Sequence, residues 1–278
     1  MEKQPSEQIE LSQMNEVPQV SVIIPVYNEE ENINILLGEL TGVMKGMKKD
    51  YEVILVDDGS TDRSFQVMEE MARKDRRITV IRFKRNAGQT AAFDAGFKQA
   101  RGEIVITLDA DLQNDPKDIP FLLEKIKDND MVCGVRTKRM DSWIKLISSK
   151  IANYVRNRLS DEEVSDTGCS LKAYRKEYLT RIKLFNGMHR FFPTLMKMEG
   201  AKVAEVPVHH RPRRFGKSKY NIRNRLFRSF IDLLAVRWMK KRKLSYEIEE
   251  IVHPSGDKVR NGRSVTLLYR VLDPMDRL

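Results

Sequence analysis

The chain has little with which to build a disulfide framework or a membrane span. It carries two cysteines, Cys133 and Cys169, both among apolar or small residues. Such a pair makes no cross-linked scaffold and suits a reducing compartment. No run of about 18 apolar residues occurs anywhere, so no transmembrane helix is expected. The opening residues, MEKQPSEQIELSQMNEVPQ, lack the apolar core of a signal peptide. No G-x-G-x-x-G follows the first strand-like run, which argues against a dinucleotide-binding Rossmann enzyme. G-x-x-x-x-G-K-[ST] is also missing, which excludes a P-loop NTPase. Acid is scarce in one place. Arg211–Lys243 holds 13 Lys/Arg against a single carboxylate, Asp232. That segment is +12 in a chain of +10, so the remainder sums to −2. A basic segment on a near-neutral body reads as a docking surface rather than as a nucleic-acid binder.

Apolar content of 41% and charged content of 32% are those of a globular chain. At 278 residues it can bury one large core, or one domain with an appendage. Residues 1–18 read as a disordered extension, 19–220 as the folded domain, 221–243 as a basic amphipathic helix and 244–278 as a tail. Val20–Val26, Tyr51–Val56, Ile78–Phe83, Ile104–Leu108 and Asp130–Val135 are apolar, β-branched runs with helical patterns between them. This alternation predicts an α/β fold with a mostly parallel central sheet flanked by helices. Ser142–Leu159 reads as a further helix, Val164–Tyr174 as a turn entering a strand, Met188–Met198 as a helix, and Ala201–His209 as an edge strand containing Pro207.

The segment EIVITLDADLQNDP (Glu103–Pro116) organises the rest. A buried strand ends abruptly in Asp109-Ala110-Asp111. Open α/β sheets place their ligands at such carboxyl ends. Two hard oxygen ligands on a tight turn suit Mg²⁺ or Mn²⁺ bridged to a substrate phosphate. By itself the pair reads as a solvated loop, with Asp115-Pro116 starting a helix; its weight comes from the other segments. A second acidic cluster, Asp57-Asp58-Gly59-Ser60, ends another strand and would converge on the same crevice. Read locally, it is a turn and cap. His209-His210 are adjacent on a strand, so their side chains diverge and are not read as metal ligands.

Four segments in order, VSVIIPVYNEEENI (Val20–Ile33), VDDGSTD (Val56–Asp62), LDADLQNDP (Leu108–Pro116) and RFGKSKY (Arg214–Tyr220), resemble family 2 glycosyltransferases of the GT-A fold. The likeness runs from about Val20 to Trp238. RNAGQTAAFDAGF, RMDSW and DTGCSLKAYR are similar to the polyprenyl-phosphate glycosyltransferases, the group of dolichol-phosphate mannose synthase and the bacterial undecaprenyl-phosphate aminoarabinose and glucosyl transferases. The resemblance implies roles. Pro25, Tyr27, Glu29, Asp57, Asp58 and Asp109 would bind the nucleotide of a UDP- or GDP-sugar. Asp109, Asp111 and Gln113 would hold Mg²⁺ or Mn²⁺, with Asp111 and Asp166 catalytic. Arg136, Ser148, Arg211, Arg214, Ser218 and Lys219 would bind the acceptor phosphate, with Arg213 and Lys217 in the same loop around Gly216. A phosphate acceptor with a second pKa near ~6 is already dianionic at neutral pH and needs no general base. Asp166 would then position the acceptor or stabilise charge developing on the sugar, and as a plain residue it is a turn before Gly168. One displacement by phosphate would invert the anomeric carbon.

Asn221–Lys243 repeats Ile222, Leu226, Phe230, Leu234 and Trp238 every four residues between basic positions. Such a helix suits an anionic membrane surface, or packing on the catalytic domain, or both. The related bacterial enzymes continue into two membrane-spanning helices, whereas this chain continues into a tail with YEIEEIV and SVTLLYRVL as strand candidates around turn-rich PSGDKVRNGRS. The expected setting is therefore cytoplasmic and peripheral, on the inner face of the membrane, by lipid or a membrane-protein partner, with self-association left open. A hydroxyl acceptor, or a catalytically silent nucleotide-sugar-binding protein, are the rival readings. Nucleic acid is not expected as a partner, because the basic segment lacks interleaved aromatics.

Overall fold

The computed structural model describes residues 17–137, 165–215, 222–244, 250–252 and 258–260. The predicted helix at Ser142–Leu159, the candidate residues Ser148, Ser218 and Lys219, Lys217 in the same loop, the extension before residue 17 and SVTLLYRVL lie outside them.

A seven-stranded sheet carries the domain. Its strands are β1 (Val20–Val26), β2 (Tyr51–Asp57), β3 (Ile78–Arg82), β4 (Ile104–Thr107), β5 (Met131–Arg136), β6 (Lys172–Arg175) and β7 (Val203–Val208). The spatial order is β3-β2-β1-β4-β6-β5-β7. β6 pairs antiparallel with β4 and β5, and every other pairing is parallel. The carboxyl ends of six strands therefore share one edge, and β6 starts from it. β7 is the outer strand on one side, where Pro207 leaves no central ladder short of a donor.

The helices are α1 (Ile33–Gly46), α2 (Ser64–Lys74), α3 (Gln89–Gln99), α4 (Ile119–Lys125), the single turn α5 (Lys176–Leu179), α6 (Phe192–Met198) and α7 (Ile222–Arg242). Two apolar layers sandwich the sheet. Val22 and Ile24 pack with Leu36, Leu40, Met68 and Leu122 on one face. Ile23 and Ile54 pack with Phe93, Phe97, Phe192, Leu233 and Val236 on the other. The alternation along β1 follows from the two-residue strand repeat, and burial of both its faces explains why all but Ser21 are apolar. Phe93, Phe97, Tyr174 and Phe192 form an aromatic cluster with ring centroids 5.6–5.9 Å apart.

Beyond α7, Glu250–Val252 pairs antiparallel with Lys258–Arg260. The second strand comes from within the stretch read as turn. No helix among the described residues is long and apolar enough to cross a membrane.

Candidate active site

The strand order reverses between β1 and β4: the chain winds outward to β2 and β3, then returns to the other side of β1. Crevices form at such switch points, at the carboxyl edge. Asp109 and Asp111 leave β4 there. Asn28, after β1, and Leu112 both take a positive φ, at 54° and 61°. Those conformations are costly for a non-glycine residue and hold the two loops in tight reversals. Asp111 is 8% exposed. Its Oδ1 accepts from the Gln113 amide at 3.1 Å and its Oδ2 from Arg213 Nη2 at 2.7 Å. Asp109 Oδ1 accepts from Gln89 Nε2, on the first residue of α3, at 2.7 Å. Asp109 retains a partial opening to the cleft, but the surrounding protein and the neighbouring charge of Asp111 raise its pKa to about 6, against the pull of Lys172 and Arg136.

Asp115 caps the next turn, accepting from the Lys117 amide at 3.0 Å, with Pro116 opening a 3₁₀ turn before α4. Gln113 places its side-chain nitrogen 3.5 Å from His210 Nε2. Its carbonyl accepts from the Arg211 amide at 2.9 Å. The adjacent histidines part as expected, His209 turning to Asp118 with Nδ1 2.7 Å from Oδ1.

The second acidic cluster also lies on this edge. Asp58 accepts from the Ala87 and Gly88 amides at 2.6–3.1 Å, so its carboxylate organises the turn into α3. Burial raises its pKa, with those amides opposing. Asp57 is fully buried, and its Oδ1 accepts from the Ser60 amide at 2.9 Å. Asp57 Oδ2 has no hydrogen-bond partner among the described residues, with Arg82 Nε 3.6 Å away. Beside it a shallow hollow of about 470 Å³ is lined by Gly59–Thr61 and Arg82–Lys84. Pro25 is within β1 opposite Val56, one residue before the strand ends. Tyr27 and Glu29 follow it into the crevice loop. Glu29 accepts from Asn32 Nδ2 at 2.6 Å and its amide donates to Ser64 Oγ at 2.8 Å.

Asp166 and Arg136 meet at the same edge, from opposite ends of the segment before β6 and of β5. Arg136 Nε donates to Asp166 Oδ2 at 2.6 Å and Nη2 to Oδ1 at 2.8 Å. The Gly168 amide adds a third donor at 3.1 Å. A Cβ at Gly168 would stand 2.9 Å from Arg136 Nη2, so a side chain there would push the guanidinium off this position. Two parallel bonds between a fork and a carboxylate make a strong, geometrically fixed pair.

The basic loop after β7 crosses back over this edge. Arg211 pairs with Glu39 at 2.7 Å and Asp115 at 2.5 Å, which anchors the loop to α1 and to the acidic turn. Arg214 is exposed, lying 5.5 Å from the Phe215 ring. Arg213 reaches the centre, with Asp111 at 2.7 Å and Glu29 at 3.8 Å. It spans the crevice from the β1 loop to the β4 turn. Sequence reading grouped Arg213 with its neighbours and did not single it out, and it missed Gln89. Nothing local marks either residue, since their roles arise from convergence of distant segments.

The acidic pair fits a divalent cation. Its repulsion is only partly offset, by the Arg213 guanidinium on Asp111 and by the charges of Lys172 and Arg136, and oxygen donors suit Mg²⁺ or Mn²⁺. Among the described residues no three His, Cys, Asp or Glu side chains are grouped to hold a metal. Such a cation would complete its shell with water or phosphate oxygens.

The sheet order, the acidic turn at its switch point and the second acidic cluster define a GT-A α/β domain. The chain belongs to glycosyl transferase family 2, whose model matches residues 21–183. Among solved structures it is similar to the mannosyltransferase PcManGT from Pyrobaculum calidifontis in complex with GDP-Man and Mn²⁺ (21% identity, TM-score 0.58). That match covers 80% of this chain and 64% of PcManGT, less than two thirds of its length. It is also similar to glucosyl-3-phosphoglycerate synthase from Mycobacterium tuberculosis in complex with Mn²⁺, UDP and phosphoglyceric acid (18% identity, TM-score 0.60), over 96% of this chain and 94% of that one. A complex of the same synthase with Mn²⁺, UDP-Glc and phosphoglyceric acid matches at 15% identity and TM-score 0.62, over 94% and 91%.

Proposed function

We propose that this chain transfers a sugar, with inversion, from a UDP- or GDP-sugar to a polyprenyl phosphate. Asp57, Asp58 and the β1 loop would receive the nucleoside. Asp109 and Asp111 would hold Mg²⁺ or Mn²⁺, which supplies positive charge to the departing diphosphate. Arg213 would leave Asp111 for the phosphates. The acceptor oxygen attacks the anomeric carbon as the bond to the nucleoside diphosphate breaks, and the carbon inverts.

The observation that carries the acceptor class is the Asp166–Arg136 pair. Both Asp166 oxygens already accept guanidinium hydrogen bonds. A carboxylate so occupied is a poor proton acceptor. A hydroxyl acceptor needs a base, whereas a phosphate near neutral pH does not. In this reading Asp166 positions Arg136, and Arg136 faces the acceptor phosphate.

The test is organic extraction. Purified protein, Mn²⁺ or Mg²⁺ and undecaprenyl phosphate are incubated with labelled UDP- and GDP-sugars. Label is expected in the organic phase, lost with chelator and with Asp111→Asn. Label appearing only in a water-soluble product, when phosphoglyceric acid or a glycan is the acceptor, would overturn the polyprenyl reading.

A further inference from the structure

Helix α7 is anchored by one side and open on the other. Leu233 and Val236 are buried in the aromatic layer, at 5% and 0% exposure. Asp232, the single acid of the Arg211–Lys243 segment, turns inward, where a Cβ at Gly187 would run into its carboxylate. Gly187 takes φ +88° to pass beneath it. The outward side carries Phe230, Ile231, Leu234 and Trp238, exposed by 48%, 49%, 45% and 63%. Phe230, Leu234 and Trp238 are four residues apart and so stack along one line. From Arg237 the helix ends in Lys240-Lys241-Arg242, with Lys243 following. From Phe230 to Leu244 the outward surface therefore offers apolar and cationic groups with no carboxylate.

We propose that this face of α7 docks on an anionic lipid surface, Phe230, Leu234 and Trp238 entering the headgroup–acyl boundary and the terminal basic residues meeting lipid phosphates. Charge decides the occupant. A second copy on the same patch would lay one cationic face against another of the same sign, with no outward carboxylate to offset them. An anionic bilayer matches both halves of the face, and Trp favours its interface. The loop also ties this helix to the cleft. Eight residues separate Arg213 from Ile222, so the helix starts within about 30 Å of Arg213. The proposal concerns binding and holds whichever acceptor the enzyme uses.

The test uses the full chain and vesicles free of polyprenyl phosphate, so it is independent of the transfer assay. Cosedimentation is expected with phosphatidylcholine–phosphatidylglycerol vesicles and not with phosphatidylcholine alone, weakening as salt rises. Leu234→Glu with Trp238→Glu should weaken it at least ~10-fold, with the circular dichroism spectrum unchanged because both side chains face solvent. In a Trp143→Phe background, Trp238 emission should shift to the blue on binding. Failure to bind, binding indifferent to lipid charge, or binding undiminished by the double variant overturns the proposal. A dimer broken by that variant, with vesicle binding untouched, would assign the face to self-association and overturn it too.

Discussion

Asp109 concentrates the electrostatic problem of the site in one residue. Burial and Asp111 raise its pKa to about 6, so the folded chain keeps a proton that the unfolded chain releases at lower pH. A raised carboxylate pKa contributes stability at low pH that is lost as pH rises through the folded value. In metal-free protein above pH ~6 the ionised pair should cost about 2–3 kcal/mol. Asp109→Asn removes that charge and keeps an oxygen for Gln89. Without metal, the variant should melt several degrees above the parent at neutral pH, by about 4–8 °C, and level with it near pH ~4, where the parent is protonated. Mn²⁺ binding by the parent should fall about tenfold per pH unit below pH ~6, since a proton must leave first. Equal melting of parent and variant across the whole range would show that the two carboxylates do not repel.

At the scale of elements, the loop after β7 is clamped in steps: His209 on Asp118, Arg211 on Asp115 and Glu39, Arg213 on Asp111 and Glu29. The last clamp competes with a metal for Asp111. Arg213→Gln should therefore tighten Mn²⁺ binding in nucleotide-free protein, about 3–10-fold, as a charge-assisted contact is lost. The same variant should weaken nucleoside diphosphate binding, because the guanidinium no longer reaches the phosphates. Calorimetric titration of each ligand separates the two effects, and a variant weaker for both would place Arg213 outside the competition. Arg213 also marks the limit of sequence reading. The parallel strands were legible because Val20–Val26 and Tyr51–Asp57 are mostly apolar and β-branched, buried on both faces. The acidic turn was legible because its strand ends so abruptly. β6 was legible as a strand in KAYR but not in direction, since nothing in four residues says that it inserts antiparallel between β4 and β5. Gln89 lies 20 residues from Asp109, and Arg213 lies 102 from Asp111. Only the strand order brings such pairs together.

The whole molecule separates its charge, with +12 in Arg211–Lys243 and −2 in the rest. Of that basic segment, Arg211 and Arg213 reach the acidic sheet edge, on Asp115 and Asp111; in the proposed reaction donor and acceptor meet there. A nucleoside diphosphate entering alone meets Asp57, Asp58, Glu29 and the Asp109–Asp111 pair, all of its own sign. A divalent ion entering alone must displace Arg213 from Asp111. Entering together, each ligand supplies the charge that the other lacks, and the displaced guanidinium finds a phosphate. The two ligands should therefore bind with positive coupling, which is reciprocal by linkage. A coupling of about tenfold corresponds to about 1.4 kcal/mol. Thermal melts should show it: Mn²⁺ with UDP or GDP should raise Tm beyond the sum of the separate shifts, by several degrees in total. The base giving the larger shift names the donor nucleotide. Asp111→Asn should abolish the excess, measured against that variant's own ligand-free Tm. If nucleotide raises Tm as much in chelator as in Mn²⁺, the diphosphate does not sit on the acidic turn, and the donor must lie across the hollow at Asp57 in another orientation.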